Sequence, residues 1–84
     1  MKNYFVYLLK CADGTYYCGI TTDLKRRVDE HNMSEKGAKY THGRRPVVLA
    51  YSKKYKTRSE ASKEEARIKK LPRTEKIKFY SISH

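Results

Sequence analysis

The 84-residue chain has room for one small domain, without a second core or a large cofactor pocket. Charge dominates its composition: 20 Lys and Arg against 9 Asp and Glu give +11 and a sequence pI near 9.8. No apolar run approaches the roughly 18 residues of a membrane span, the stretch after Lys2 is broken by Asn3 and Lys10 with no small-residue cleavage site, and the two cysteines are too few for a disulfide framework, so a cytoplasmic protein is expected.

Residues 4–10 form an uninterrupted β-branched and aromatic run, which predicts a strand buried on both faces. Asp13-Gly14 marks a turn and residues 15–20 a second strand, together a β-hairpin. A two-residue loop would set Tyr7 and Tyr17 on opposite faces. A three-residue Ala12-Asp13-Gly14 loop, with Gly14 left-handed, sets them on one face, with Tyr7 opposite Gly19 and Leu9 opposite Tyr17. Sequence leaves both registers open. Thr22-Asp23 is a helix N-cap followed by Leu24 and Val28 at i,i+4 spacing, predicting a helix to about His31. Residues 32–45 read as a polar, basic loop. Residues 46–51 predict a third strand with Pro46 at its start, where a missing donor is tolerated. Residues 59–71 predict a second helix, capped by Thr57 or Ser59 and stopped by Pro72, with a short helix over about 73–80 after it. The order β-β-α-β-α-α gives an α+β domain over 1–84, with a small three-stranded, mainly antiparallel sheet flanked by helices.

So much positive charge on a small domain calls for a polyanionic partner, with nucleic acid ahead of a membrane surface. The excess is uneven, +7 over residues 52–84 and +4 over residues 1–51. Lys39, Tyr40, Arg44 and Arg45 in the loop, and Lys69, Lys70 and Arg73 at the end of the second helix, are candidate phosphate contacts. Cys11 and Cys18, at C-x6-C spacing with His31 and His42 far from ligand spacing, do not resemble a zinc site and read as buried thiols.

Two helices carry charge where periodicity calls for apolar groups. Arg27 and His31 fall beside Leu24 and Val28 on the inward stripe of the first helix or at its edge. On the second, Ala61, Ile68 and Leu71 define the stripe; Glu65 falls within it and Glu64 is expected to face solvent. Glu65 reads either as an ion-pair partner of Arg27 or as a carboxylate open to a divalent cation.

Phe5-Val6-Tyr7-Leu8 in the first strand, then Tyr17-Cys18-Gly19-x7-Arg27-x3-His31 and a helical Glu, resemble the GIY-YIG nuclease domain over nearly the whole chain. The segments "GAKYT" and "SEASKEEARIKKL" resemble its small stand-alone bacterial members. The first motif lacks its Gly-Ile, Ile20 stands where some members carry Lys, and no Asn follows Asn32. The resemblance implies a DNA endonuclease that hydrolyses phosphodiester bonds with one divalent metal, Mg²⁺ or Mn²⁺. Glu65 matches the metal ligand, Arg27 the catalytic arginine, His31 a position that assists through proton transfer or hydrogen bonding, and Tyr7 and Tyr17 the motif tyrosines, one of which activates water. Gly19 leaves room opposite Tyr7. With no base-reading module, the expected substrate is single-stranded or branched DNA in repair or recombination, with a homodimer or protein partner for double-strand cuts and RNA less favoured. The alternative is a catalytically weak or silent nucleic-acid-binding domain.

Overall fold

A computed structural model of the protein describes residues 3–33, 43–72 and 74–78. Its centre is β1 (Tyr4–Lys10), which pairs antiparallel with β2 (Tyr16–Thr21) on one side and β3 (Val48–Tyr55) on the other, giving sheet order β2-β1-β3. A strand flanked on both sides and covered on both faces must be apolar throughout, and Val6, Tyr7, Leu8 and Leu9 are all buried.

The hairpin resolves the register. Gly14 has φ 84°, its N–H donates to the Cys11 carbonyl (3.0 Å), and the Cys11 N–H donates to Thr15 (2.8 Å), so the loop has three residues. Tyr7 therefore pairs with Gly19 and Leu9 with Tyr17, and both tyrosines point to one face. The Asp13 carboxylate accepts from the Thr15 N–H (3.1 Å), which holds the turn.

Helix α1 (Leu24–Met33) packs Leu24 and Val28 against the face carrying Tyr7 and Leu9. Its cap is Asp23, whose carboxylate accepts from the Arg26 N–H at 3.1 Å. Helix α2 (Arg58–Lys69) lays Ala61 and Ile68 on the opposite face, over Val6, Leu8, Cys18 and Ala50. Thr57 caps it, accepting from the Glu60 N–H (3.2 Å) while its hydroxyl reaches the Glu60 carboxylate (3.0 Å). Residues 74–78 are helical again. No helix among the described residues is long and apolar enough to cross a membrane.

Four expectations need correction. The third strand runs over Val48–Tyr55 rather than residues 46–51. Its second half carries Ser52, Lys53 and Lys54, and charge is tolerated there because β3 is an edge strand. A register shift between Leu8 and Leu9 leaves Ala50 unpaired as a bulge, and Ala50 joins Tyr51 on the α2 face. The second helix is Arg58–Lys69, not residues 59–71, and α1 extends past His31 to Met33. Glu64, expected in solvent, has a side chain only 14% exposed, because the longer β3 brings Tyr55 to it as a hydrogen-bond partner and Arg67 pairs with it.

Candidate active site

The face beneath α1 holds a polar cluster inside the core. Tyr7 is 1% exposed and His31 0%, yet the Tyr7 hydroxyl lies 3.0 Å from His31 Nε2. Arg27, one helical turn before His31, also hydrogen-bonds the Tyr7 hydroxyl. A guanidinium can only donate, so the Tyr7 oxygen accepts from Arg27 and its own proton points to His31 Nε2. That leaves His31 neutral, with its proton on Nδ1. The electrostatics agree. Burial, reinforced by the Arg27 charge, pushes His31 down to about 4, against Glu30. Burial pushes Tyr7 up to about 12, against the opposing pull of Arg27. Burial lowers Arg27, but its hydrogen bonds to Tyr7 and Glu30 outweigh this and raise it overall.

Tyr17 completes the cluster from β2. Its ring centroid lies 5.2 Å from that of His31 and 6.4 Å from that of Tyr7, and it is half-buried where Tyr7 is sealed. Gly19 makes the packing feasible. A Cβ there would overlap the Tyr7 hydroxyl and sit 2.6 Å from Tyr7 Cζ, so no larger residue fits while Tyr7 keeps its place.

Glu30 belongs to this site, and the sequence reading passed over it. Its carboxylate meets Arg27 Nη1 at 3.1 Å and Arg26 Nη1 at 3.4 Å, and the side chain is 17% exposed. It pins the arginine that contacts Tyr7. The available signal was spacing, since Glu30 stands at i+3 from Arg27 and i+4 from Arg26.

Glu65 sits elsewhere. It lies on α2, across the sheet from Tyr7, where it raises the Cys18 thiol; burial is the larger cause of that thiol's rise to about 12. Its partner is Lys69 at 3.3 Å, while Arg27 pairs with Glu30, so the ion-pair reading of Arg27 with Glu65 is set aside. Cys18 and Tyr17 are neighbours on the edge strand β2, so Glu65 approaches the same sheet edge as Tyr17 from the other layer. Among the described residues no three His, Cys, Asp or Glu side chains form a metal-binding group. A lone carboxylate suits Mg²⁺, which keeps several waters and takes further donors from a phosphate.

Of the candidate phosphate contacts, Arg44 pairs with Asp13 at 2.9 Å and its carbonyl accepts from the Ala12 N–H, tying the incoming chain to the hairpin turn. Arg45 Nε donates to the His31 carbonyl at 2.6 Å. Asn32 clamps Val47 through two hydrogen bonds, 2.6 and 3.0 Å, so the end of α1 is fastened to the start of β3. Lys69 and Lys70 are exposed at the end of α2. Lys39, Tyr40 and Arg73 lie outside the described residues.

Comparison with known proteins bears on the family and the fold. The family model for the GIY-YIG catalytic domain matches residues 3–78. A UPF0213 protein of Desulfotalea psychrophila is 58% identical over 73 residues, 87% of this chain and 66% of that protein. One from Halobacterium salinarum is 54% identical over 71 residues, covering 84% of this chain and 91% of its own length. The solution structure of a protein from E. faecalis, 44% identical, superposes with a TM-score of 0.64 over 100% of this chain and 88% of that one. That of a UPF0213 protein from Bacillus halodurans, 42% identical, gives 0.59 over 95% and 84%. The chain belongs to the GIY-YIG family of nuclease domains, and its relatives there are the small UPF0213 proteins.

Proposed function

We propose that the protein is a divalent-metal-dependent DNA endonuclease that hydrolyses phosphodiester bonds in single-stranded or branched DNA, in repair or recombination. One observation carries this reading beyond family membership: four polar side chains (Tyr7, Tyr17, Arg27 and His31) converge on one sheet face, and among the described residues no buried side-chain nitrogen or oxygen lacks a hydrogen-bond partner. A desolvated, fully partnered polar cluster holds its donors in place without reorganisation, as stabilising a developing charge requires.

The roles divide by exposure. Tyr7 keeps its proton at neutral pH and is sealed from solvent, so it positions Arg27 and His31. Tyr17, half-buried at the edge strand, is the tyrosine that water reaches, and it orients and deprotonates the attacking water. Arg27 lies on the same face, held there by Tyr7 and Glu30. It stabilises the charge that builds on the phosphoryl oxygens. Neutral His31 holds the Tyr7 proton through Nε2 and fixes the ring pair. Bound by Glu65, with water and substrate oxygens as its other donors, Mg²⁺ or Mn²⁺ would polarise the phosphoryl group and support the leaving oxygen.

The test is cleavage of single-stranded, branched and duplex DNA in Mg²⁺ or Mn²⁺, with chelator, Arg27→Ala and Glu65→Ala as controls. The expected result is chelator-sensitive cleavage lost in both variants. Cleavage that survives both substitutions overturns the site. Salt-sensitive DNA binding with no product under any condition replaces the enzyme with a binding module.

A further inference from the structure

Beside Arg27 a cleft of about 350 Å³ opens where the α1 and α2 layers meet, at the Thr21 end of β2. Its walls come from both helices: Arg26 and Arg27 from α1, Arg58 from the first turn of α2, with the Thr22 and Tyr4 side chains between them. Among the described residues Glu30 is the one carboxylate in the lining, against three guanidinium groups. Arg26 and Arg27 are engaged by Glu30, whereas among the described residues Arg58 has no ion pair and no side-chain hydrogen bond. The larger depression, about 420 Å³, along the outer side of α1 has the opposite balance, with Asp23, Asp29 and Glu30 against Lys25 and Arg26, and does not attract an anion.

A polar cleft with an excess of guanidinium, one of them uncommitted, fits a phosphate oxygen and not a neutral or cationic ligand. We infer that the cleft is a second phosphate subsite, which receives a DNA backbone phosphate near the one cleaved, with Arg58 as its principal donor and Arg26 and Thr22 beside it. This rests on the nuclease reading for the identity of the polyanion. Arg58 and Glu65 share one side of α2 at i,i+7 spacing, about 10 Å along its axis, so the recognised phosphate lies within about three nucleotide steps of the scissile bond. Two helices from opposite layers thus hold the strand across the edge of β2, and Arg27 serves both positions.

The test reads binding in chelator, apart from cleavage, by anisotropy of a short fluorescein-labelled single-stranded DNA carrying one neutral methylphosphonate linkage moved step by step. Expected is a roughly fivefold loss of affinity for Arg58→Ala, with the salt slope lowered by about one, partial retention in Arg58→Lys, and a change within about twofold for the exposed α2 control Lys63→Ala. At one linkage the methylphosphonate should weaken the wild type by about the same factor and Arg58→Ala no further. Losses that multiply at every linkage overturn the subsite, as does an equal loss in Lys63→Ala or the absence of DNA binding. Circular dichroism checks that Arg58→Ala, an exposed change at the start of a capped helix, is folded. If the wild type cleaves no DNA while the methylphosphonate result holds, the nuclease reading fails and the subsite stands.

Discussion

The two faces of the sheet are built from the same strands, residue by residue in alternation, and they do opposite things. Beneath α2 lie Val6, Leu8, Cys18, Ala50, Ala61 and Ile68, an apolar layer. Beneath α1 lie Tyr7, Leu9, Cys11 and Val47, with His31 buried beside them and Arg27 and Glu30 at the margin. Cys18 and Tyr7 show the difference most directly. Burial pushes both up to about 12. Cys18 feels the opposing charges of Glu65 and Lys69, whereas Tyr7 is gripped by a guanidinium and an imidazole. The α2 face contributes stability by excluding water; the α1 face spends part of that stability on holding polar groups where solvent cannot relax them.

Breaking one member on each face should separate the two functions most widely. Arg27→Ala removes the donor that meets developing charge and is expected to lower kcat by about 10²–10³-fold, measured on cleavage of the preferred DNA, with only about 1–3 kcal/mol of unfolding free energy lost because Tyr7 and Glu30 lose a partner. Ile68→Ala is expected to do the reverse. It empties a fully buried position and should cost about 2–5 kcal/mol in urea unfolding, while the folded enzyme cleaves within a few-fold of wild type. If Ile68→Ala abolished cleavage in protein shown to be folded, the division of labour between the faces would be wrong.

A subtler break keeps every polar group and adds one methyl. Gly19→Ala drives a Cβ into the Tyr7 hydroxyl, and Tyr7 is held by Arg27 and His31, so it cannot swing aside without losing both. The expected cost is about 2–3 kcal/mol of stability. The downfield imidazole signals of His31 should shift in the NMR spectrum as its Tyr7 hydrogen bond lengthens. Unchanged signals together with unchanged stability would mean that the close approach is not confining.

The parts of this arrangement that were legible in the sequence are those fixed by spacing along one element. Arg27 and His31 share a turn of helix with Leu24 and Val28, so their inward placement follows from a period of 3.6. The register of Tyr7 against Tyr17 was not legible, because Asp13-Gly14 suits loops of two or three residues and only the Cys11–Gly14 turn distinguishes them. The second half of β3 was hidden by Lys53 and Lys54, which look like a loop until β1 supplies their pairing. The misreading of Glu64 follows from that, since its partner Tyr55 lies at the end of the hidden segment. Glu65 reads as inward from helical phase alone, but phase says nothing of which sheet face the helix covers.

The α1 face should also be the one that responds to mild acid. In the folded chain His31 takes up its proton only near pH 4, held down by burial and by Arg27 and Arg45, with Glu30 opposing, whereas in the unfolded chain it does so near its ordinary 6.5. Between those values the unfolded chain carries more protons, so lowering the pH favours unfolding. The His31 contribution is complete above pH 6.5, falls as the pH drops toward 4, and changes no further below that. The expected loss is on the order of 3 kcal/mol, read as the urea-unfolding free energy at half-unit steps of pH. His31→Gln should flatten this window. Asp13 and Glu64, whose carboxyls Thr15 and Arg67 hold below the usual range, begin to lose their contribution only near pH 5, so the upper part of the window belongs to His31. Ile68→Ala, on the other face, should shift the whole curve down and leave its slope intact. Equal slopes in wild type and His31→Gln would show that the imidazole is solvated, and the sealed cluster of Tyr7, Arg27 and His31 would have to be abandoned.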